Sequence, residues 1–120
     1  MIKFVMCLRR NPKLSRKEFQ DYWRDKHAPL FMSFAEVHNA RRYVQDHTVD
    51  SPMNEFLRDS RGMLEPFDGV AEVWFDSEEA FAAAMSSPEG QKLGEVLHAD
   101  ESTFIDHSRS TAFLATEHEV

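Results

Sequence analysis

The stretch Leu14-Ser-Arg-Lys-Glu-Phe-Gln-Asp-Tyr-Trp-Arg-Asp-Lys-His-Ala-Pro-Leu30 has the pattern of one short, capped helix. Ser15 and Glu18 form a capping-box sequence, in which each side chain satisfies a free backbone N–H of the first turn. Aromatic and imidazole side chains then recur every four residues along one helix face, as Phe19, Trp23 and His27. We therefore expect this helix to deliver an indole and an imidazole to the same place.

Pro29 follows shortly after His27 and predicts where this helix is interrupted. Because proline disfavours helical angles at the residue before it, we expect Ala28 to leave helical geometry and His27 to lie at or near a helix end or kink. A helix C-terminus stabilises imidazolium while apolar surroundings stabilise neutral imidazole, so His27 suits a general acid or base. The alternative is a structural histidine that is hydrogen-bonded to the backbone.

The pattern Trp-x-x-x-His-x-Pro, here Trp23, His27 and Pro29, after Leu-Ser-Arg-Lys-Glu-Phe, resembles the signature helix of the EthD family. That family is a branch of the dimeric α/β-barrel (ferredoxin-like) proteins. Residues 67–75 and 100–106 resemble its third strand and its approach to the last strand, so the resemblance spans nearly the whole chain. It implies a fold and a homodimer. It implies no single reaction, because members of the family are implicated in varied chemistry.

The order of predicted elements leads to the same fold class. Alternating or apolar-rich segments predict strands at residues 2–8, 40–49, 70–75 and 110–117. Helices are expected after the capping serines Ser15, Ser51, Ser77 and Ser87, the second of them within a long excursion that we expect to border a site. The order βαββαβ predicts an α+β, ferredoxin-like domain over residues 1–120, with a four-stranded antiparallel sheet and helices on one face.

The other face of the sheet predicts a second subunit. We expect Tyr43, Trp74 and the second set of residues on the first strand to lie there, and such a face is too apolar to stay in water. A second copy of the chain would cover it. Two sheets packed face to face, or curled into one dimeric α/β barrel, would bury that surface and enclose a ligand cavity.

Composition limits the classes of partner. A chain of 120 residues with 42% hydrophobic residues suits one core, and a net charge of −7 argues against nucleic acid. The basic group around Arg9 and Arg10 is interpreted as a solvated helix entry rather than an anion site. With no long apolar run and an N-terminus charged too early for a signal peptide, we expect a cytoplasmic protein with no membrane partner.

Cofactor and metal sites have no support in the sequence. Cys7 is the only cysteine, so neither an internal disulfide nor a cysteine-based metal cluster can form within one chain. No His-x-x-x-His or His-x-His pair, glycine-rich phosphate loop or dinucleotide fingerprint is present. We therefore predict no metal and no cofactor.

Further candidates lie on the predicted strands. Tyr43 and His47 share a strand face, so Tyr43 is a candidate donor to a substrate oxygen and His47 a second proton-transfer group. An exposed strand end is the alternative for His47. Glu72 is an acid within an apolar strand and a candidate ligand contact, and its alternative is a salt bridge to a cation such as Arg42.

An aromatic pocket is the remaining candidate. The residues that could wall it are Tyr22, Trp23, Phe31, Trp74 and Phe104, although most aromatic stripes are core and only a subset can line a cavity. Asp106 matches the acidic position of the EthD family before the last strand, and its alternative is to organise that loop with His107. The expected ligand is small and hydrophobic.

These patterns lead to one main hypothesis and two alternatives. The main one is a cofactor-independent lyase or isomerase that performs acid–base chemistry on a small cyclic or aromatic carbonyl compound, such as a lactone or polyketide. His27 would move the proton, and Tyr43 or His47 would stabilise an enolate-like oxygen. The first alternative is a non-catalytic protein that sequesters a hydrophobic ligand. The second is a haem-binding or oxygenase relative with His27 as axial ligand.

Overall fold

A computed structural model describes all residues, 1–120, as one sheet with helices against it. The elements are β1 Ile2–Leu8, α1 Arg16–Tyr22, a π-helical turn Trp23–His27, α2 Ala28–Met32, α3 Ala35–His38, β2 Arg42–His47, α4 Pro52–Arg61, β3 Gly69–Phe75, α5 Glu78–Ser86, α6 Pro88–Phe104, a 3₁₀ turn His107–Arg109 and β4 Thr111–Ala115. The second and fourth strands are shorter than predicted. No helix has the length and apolar character needed to cross a membrane.

The strands form one antiparallel sheet in the order β2-β3-β1-β4. This order confirms the predicted α+β, ferredoxin-like class, because the two central strands are the first strand of each βα pair. The predicted caps also form: the hydroxyls of Ser51, Ser77 and Ser87 accept backbone N–H groups at the starts of α4, α5 and α6. Gly62 ends α4 in the left-handed conformation, with φ 62°.

The first helix begins as predicted and continues further than predicted. Ser15 and Glu18 make the reciprocal capping box. Ala28, however, keeps helical angles (φ −60°, ψ −46°), and the helix runs on through α2. The reason is the π-helical turn, in which the Ala28 N–H bonds to the Trp23 carbonyl, five residues back. The wider turn accommodates the Pro29 ring, which would otherwise clash with a carbonyl in the preceding turn.

His27 therefore does not lie at a helix C-terminus, and the expected influence of a helix dipole on its ring does not apply. It lies at the end of the widened turn, with helix on both sides. Turns of this kind are frequent at functional sites, because the inserted residue redirects side chains.

The two faces of the sheet differ as the strand alternation predicts. Ala71, Val73 and Phe75 face the helices, whereas Glu72 and Trp74 face away and contact Lys3 of β1. Tyr43 was expected on the open face, and this expectation was wrong. It pairs with Val73 across the β2–β3 ladder, and paired residues project from the same side of a sheet.

The core lies between the helix-covered face and the helices. Its buried members come from β1, α1, the π turn, β3 and the end of α6: Leu8, Phe19, Trp23, Ala71, Phe104 and Ile105. Because this core joins the π turn to both central strands, the ring of Trp23 is held in place from several sides.

Candidate active site

A cavity of about 310 Å³ lies between the helix-covered face of the sheet and helices α5 and α6. Its wall is mostly apolar, so it suits a small hydrophobic ligand. This location corrects one expectation: the cavity lies within one subunit, on the side of the sheet opposite to the face that a second subunit would cover.

A few polar side chains interrupt the apolar wall. They come from the π turn, α3, β2 and α6, and they are His27, His38, Tyr43, His98 and Glu101. A small number of polar groups within an apolar wall is the usual composition of a site that orients a ligand. The ring of His98 only stacks on that of His107, whereas the other four side chains make polar contacts.

His27 is held by a carboxylate. Its Nδ1 lies 2.7 Å from Oδ2 of Asp100 on α6, and the imidazole lies against the Phe104 ring with the centroids 5.1 Å apart. Since an ionised carboxylate only accepts hydrogen bonds, Nδ1 carries the proton and donates it. The second nitrogen, Nε2, is left without a hydrogen bond. Asp100 thus fixes the tautomer and the orientation of the ring, as the aspartate of a catalytic triad does.

Asp100 is itself fixed by Tyr22. The Tyr22 hydroxyl donates to Oδ1 of Asp100 at 2.5 Å, so each carboxylate oxygen has one donor. This hydrogen bond raises the pKa of Tyr22 above its ordinary value of 10.0, and the phenol keeps its proton. Tyr22 therefore acts on His27 through Asp100 rather than as part of the wall.

Tyr43 belongs to a second hydrogen-bonded chain. The side-chain amide of Gln45 donates to the Trp23 carbonyl at 3.1 Å and to the Tyr43 hydroxyl at 2.7 Å. Because a carbonyl only accepts, the amide nitrogen is fixed on that side and Oε1 is left to accept from Nε2 of His47. The Tyr43 hydroxyl is thus an acceptor towards Gln45 and can donate its own proton into the cavity.

The pKa of Tyr43 is raised by burial, so its hydroxyl stays protonated at neutral pH. His47 does not line the cavity. Its ring stacks on the Trp23 ring with the centroids 4.8 Å apart, and burial lowers its pKa below 6.5. A neutral His47 donates to Gln45, so the structure supports a positioning role rather than direct proton transfer.

His38 is a polar wall residue that the sequence analysis did not single out. Its Nε2–H donates to the Phe31 carbonyl at 3.0 Å, and its Nδ1 accepts the Ala40 N–H at 2.9 Å. Burial lowers the pKa of His38. Both ring nitrogens are occupied, and the ring stacks on Phe31 with the centroids 4.0 Å apart. His38 therefore holds Phe31 in the wall and has no free nitrogen for chemistry.

Four of the predicted site residues line the cavity together: Trp23, His27, Phe31 and Tyr43. Phe104 lies beneath the imidazole as part of the core. Asp106 lies outside the cavity, where its carboxylate accepts from the Ser108 N–H and hydroxyl and caps the 3₁₀ turn. This corresponds to the loop-organising alternative for Asp106.

Glu72 and Trp74 lie on the open face of the sheet, away from the cavity. Glu72 accepts from Nζ of Lys3 at 2.8 Å, which is the salt-bridge alternative with Lys3 in place of Arg42. Lys3 and Arg42 both lie over the Trp74 ring, and the indole N–H donates to Glu117. These contacts belong to the surface that a second subunit would cover.

Asp100 and Glu101 are the functional candidates to which sequence reasoning assigned no role. Their positions on α6 could have indicated a role, because Glu101 follows Leu93 and Leu97 at steps of four and so lies on the same apolar face of the helix. Asp100 likewise lies four residues before Phe104. An acid on the apolar stripe of a helix is unusual unless it is paired or functional.

A larger pocket of about 630 Å³, bordered by α4 and the start of α1, is lined mostly by charged and polar residues. Its arginines are mostly engaged: Arg10 and Arg16 pair with Asp68 at 2.7 and 3.0 Å, and Arg9 donates to the carbonyls of Glu65 and Pro66. The long connection between β2 and β3, which contains α4 and was expected to border a site, therefore borders this polar pocket rather than the apolar cavity. No group of three or more His, Cys, Asp or Glu side chains has the arrangement of a metal site.

Comparison with known proteins agrees with the fold. The family model described as EthD domain matches residues 11–108. An EthD family protein from Bacillus halodurans C-125 is 24% identical, covers 98% of this chain and 99% of its own, and superposes with a TM-score of 0.64. No curated protein matches the sequence.

Two more distant structures have the same fold. A dimeric protein of unknown function with a ferredoxin-like fold, from Bacteroides fragilis NCTC 9343, is 9% identical over 95% of this chain and 93% of its own, with a TM-score of 0.59. SnoaB, a cofactor-independent oxygenase from Streptomyces nogalater, is 15% identical over 99% of this chain and 94% of its own, with a TM-score of 0.55. At this level of identity the likeness concerns the fold alone.

Proposed function

This chain belongs to the EthD family, and from that premise we propose that it is a cofactor-independent enzyme that transfers protons on a small cyclic or aromatic carbonyl compound. One observation carries the proposal. An imidazole in the wall of an apolar cavity has its Nδ1 held by a carboxylate at 2.7 Å, while its Nε2 makes no hydrogen bond. That arrangement is the one that an acid–base catalyst requires.

The proposed reaction begins at a carbon next to the substrate carbonyl. Nε2 of His27 takes a proton from this carbon, and the electron pair of the C–H bond moves into an enolate. Tyr43 donates its hydroxyl proton to the enolate oxygen in a hydrogen bond, and Asp100 stabilises the imidazolium. Return of the proton from Nε2 to a different atom gives isomerisation. If the substrate carries a β-hydroxyl group, the Nε2–H of the imidazolium protonates it as the C–O bond breaks, and loss of water gives dehydration.

The side chain of Glu101 opposes the alternative in which His27 is an axial haem ligand. A carboxylate oxygen of Glu101 lies 3.9 Å from Nε2, the nitrogen that would bind iron. A metal–nitrogen bond is only about 2 Å long, so a porphyrin at this nitrogen would have to displace Glu101. Titrating the protein with haemin and finding a Soret band that depends on His27 would support this alternative over ours.

We also propose a homodimer formed through the open face of the sheet. Val5 and Trp74 are already buried there, and Phe113 remains 49% exposed beside Val5 in the β1–β4 ladder. A second sheet would remove this apolar surface from water. A protein of this fold that is described as dimeric supports the proposal.

The function can be tested without the natural substrate, because proton transfer next to a carbonyl exchanges hydrogen for deuterium. We suggest 2-tetralone, an aromatic bicyclic ketone, and 2-coumaranone, an aromatic lactone, in D₂O, with loss of the α-proton signal followed by ¹H NMR. The wild-type protein should accelerate the loss. His27→Ala should abolish the acceleration, and Asp100→Asn should reduce it by about 10²-fold.

His118→Ala is the matched control, because it removes an exposed imidazole near the C-terminus and should leave the exchange rate unchanged. Binding is followed in the same samples from ligand line widths, and folding from thermal unfolding. If the wild-type protein binds both compounds and accelerates neither, the non-catalytic ligand-binding alternative replaces ours. Full acceleration by a folded His27→Ala variant would remove His27 from the mechanism.

A further inference from the structure

Glu101 connects the cavity to the surface of the molecule. Its Oε2 lies 3.9 Å from Nε2 of His27, and its Oε1 lies 3.1 Å from Nε2 of His107 in the 3₁₀ turn. One carboxylate is therefore shared between the free nitrogen of the cavity histidine and a second imidazole. The ring of His107 in turn stacks on that of His98, with the centroids 4.8 Å apart.

The exposed fraction of the side chain rises from His27 through Glu101 to His107. The side chain of His27 is 9% exposed, that of Glu101 15% and that of His107 35%. Titratable groups thus follow one another from the cavity wall to solvent. On the opposite side of the His27 ring, both carboxylate oxygens of Asp100 already accept hydrogen bonds, one from Tyr22 and one from Nδ1 of His27.

We propose that Glu101 and His107 carry protons between His27 and bulk water. This inference rests on the proposed function, since it supplies the step that an enclosed base needs. After each turnover that leaves a proton on Nε2, the proton has to leave an apolar cavity whose base has little contact with water. The Glu101 carboxylate accepts it, passes it to His107, and His107 releases it to solvent.

The proton balance of the path is simple. Imidazolium at His27 gives its Nε2 proton to Oε2 of Glu101, which becomes a neutral carboxylic acid. At rest the Nε2–H of His107 donates to Oε1 of the Glu101 carboxylate. Beside the neutral acid, His107 exchanges through solvent to its Nδ1–H tautomer, and rotation of the carboxyl group then presents the O–H to the free Nε2. The imidazolium that forms loses its Nδ1 proton to water, which restores the resting Nε2–H. The reverse sequence loads His27. No electron moves and no other reactant is consumed.

The gap of 3.9 Å is too long for a direct hydrogen bond. One hydroxyl or water oxygen can lie about 2.8 Å from both Nε2 and Oε2, and it would complete the path. A small movement of the Glu101 side chain would do the same. The path is therefore complete only when such an oxygen is bound between the two side chains or when Glu101 moves towards His27. It need not be continuous in the resting protein.

The path can be tested in the free protein by ¹⁵N NMR of histidine-labelled samples. The line shape of Nε2 of His27 at its titration midpoint reports how fast the proton enters and leaves. We expect Glu101→Gln and His107→Ala each to slow this exchange by about tenfold or more, which broadens or splits the resonance. Each variant is measured at its own midpoint, so a changed charge near the ring does not affect the comparison.

His118→Ala serves again as control and should keep the wild-type line shape. The Nδ1–H signal, held by Asp100, reports that the ring environment is intact in each variant. Added imidazole should restore exchange in His107→Ala more than in Glu101→Gln, because only the former leaves a space that imidazole fills. Unchanged exchange in both folded variants would overturn the proposal. Since no substrate is present, this result is independent of the deuterium-exchange assay.

Discussion

Replacing Gly69 with Ala should destabilise the protein through one side chain, Trp23. A Cβ atom at position 69 would lie 2.9 Å from Cη2 of Trp23, closer still to its Cζ3, and 3.0 Å from the Asp46 carbonyl oxygen. Ordinary van der Waals contact begins near 3.4 Å, so the indole must withdraw by about 1 Å at Cζ3, the nearer of the two atoms. Its ring is fully buried and contacts Phe19 and His47, so it has little room.

Overpacking of this kind costs about 2 kcal/mol, which lowers Tm by roughly 8 °C in a domain of this size. Urea unfolding followed by circular dichroism measures the loss directly. The matched control is Gly94→Ala in α6, where an added Cβ meets nothing within 4 Å and the helix should gain about 0.5–1 kcal/mol. If both variants shift stability in the same direction, the reasoning about a fixed Trp23 is wrong.

Three further predictions concern stability and assembly. Asp68→Asn should lower the free energy of unfolding by about 3 kcal/mol in urea titrations, because its buried carboxylate accepts from both Arg10 and Arg16; an unchanged midpoint would mean that these ion pairs contribute little. Because burial lowers the pKa of His38 below 6.5, the unfolded chain binds its proton first, so its contribution to stability is complete above that pH and is lost on acidification. Unfolding midpoints should therefore fall between about pH 7 and pH 5 in the wild type and fall less in His38→Gln. Phe113→Asp should convert a dimer into a folded monomer in sedimentation velocity, and a dimer of unchanged stability would exclude the open face as the interface.

The parts of the fold that depend on local patterns could be predicted from the sequence. Serine caps, the capping box at Ser15 and the alternation of β3 are set by residues close in the chain, and all of them form. The effect of Pro29 was predicted wrongly. A proline in a helix has two outcomes, a break or a widened turn, and the packing of Trp23 against the sheet selects the second.

The candidate site could be predicted only in part, for a physical reason. Sequence spacing places Trp23 and His27 on one face, but it does not report which element crosses that face. Asp100 reaches His27 across 73 positions of sequence, through the packing of α6 against the π turn. Likewise, side chains alternate between the two faces along β2, so the sequence predicts that Tyr43 and its two neighbours in the chain lie on opposite faces. Only the register between β2 and β3 decides which of the two faces Tyr43 occupies.

The cavity lies wholly on the helix side of its own sheet, and this has a consequence for kinetics. In a dimer joined through the open faces, two four-stranded sheets would lie between the two cavities. Neither cavity would then contain a side chain from the other subunit. Saturation by ligand should then be hyperbolic. A mixed dimer with one His27→Ala subunit should keep half of the turnover of the wild-type dimer, because each subunit would act independently.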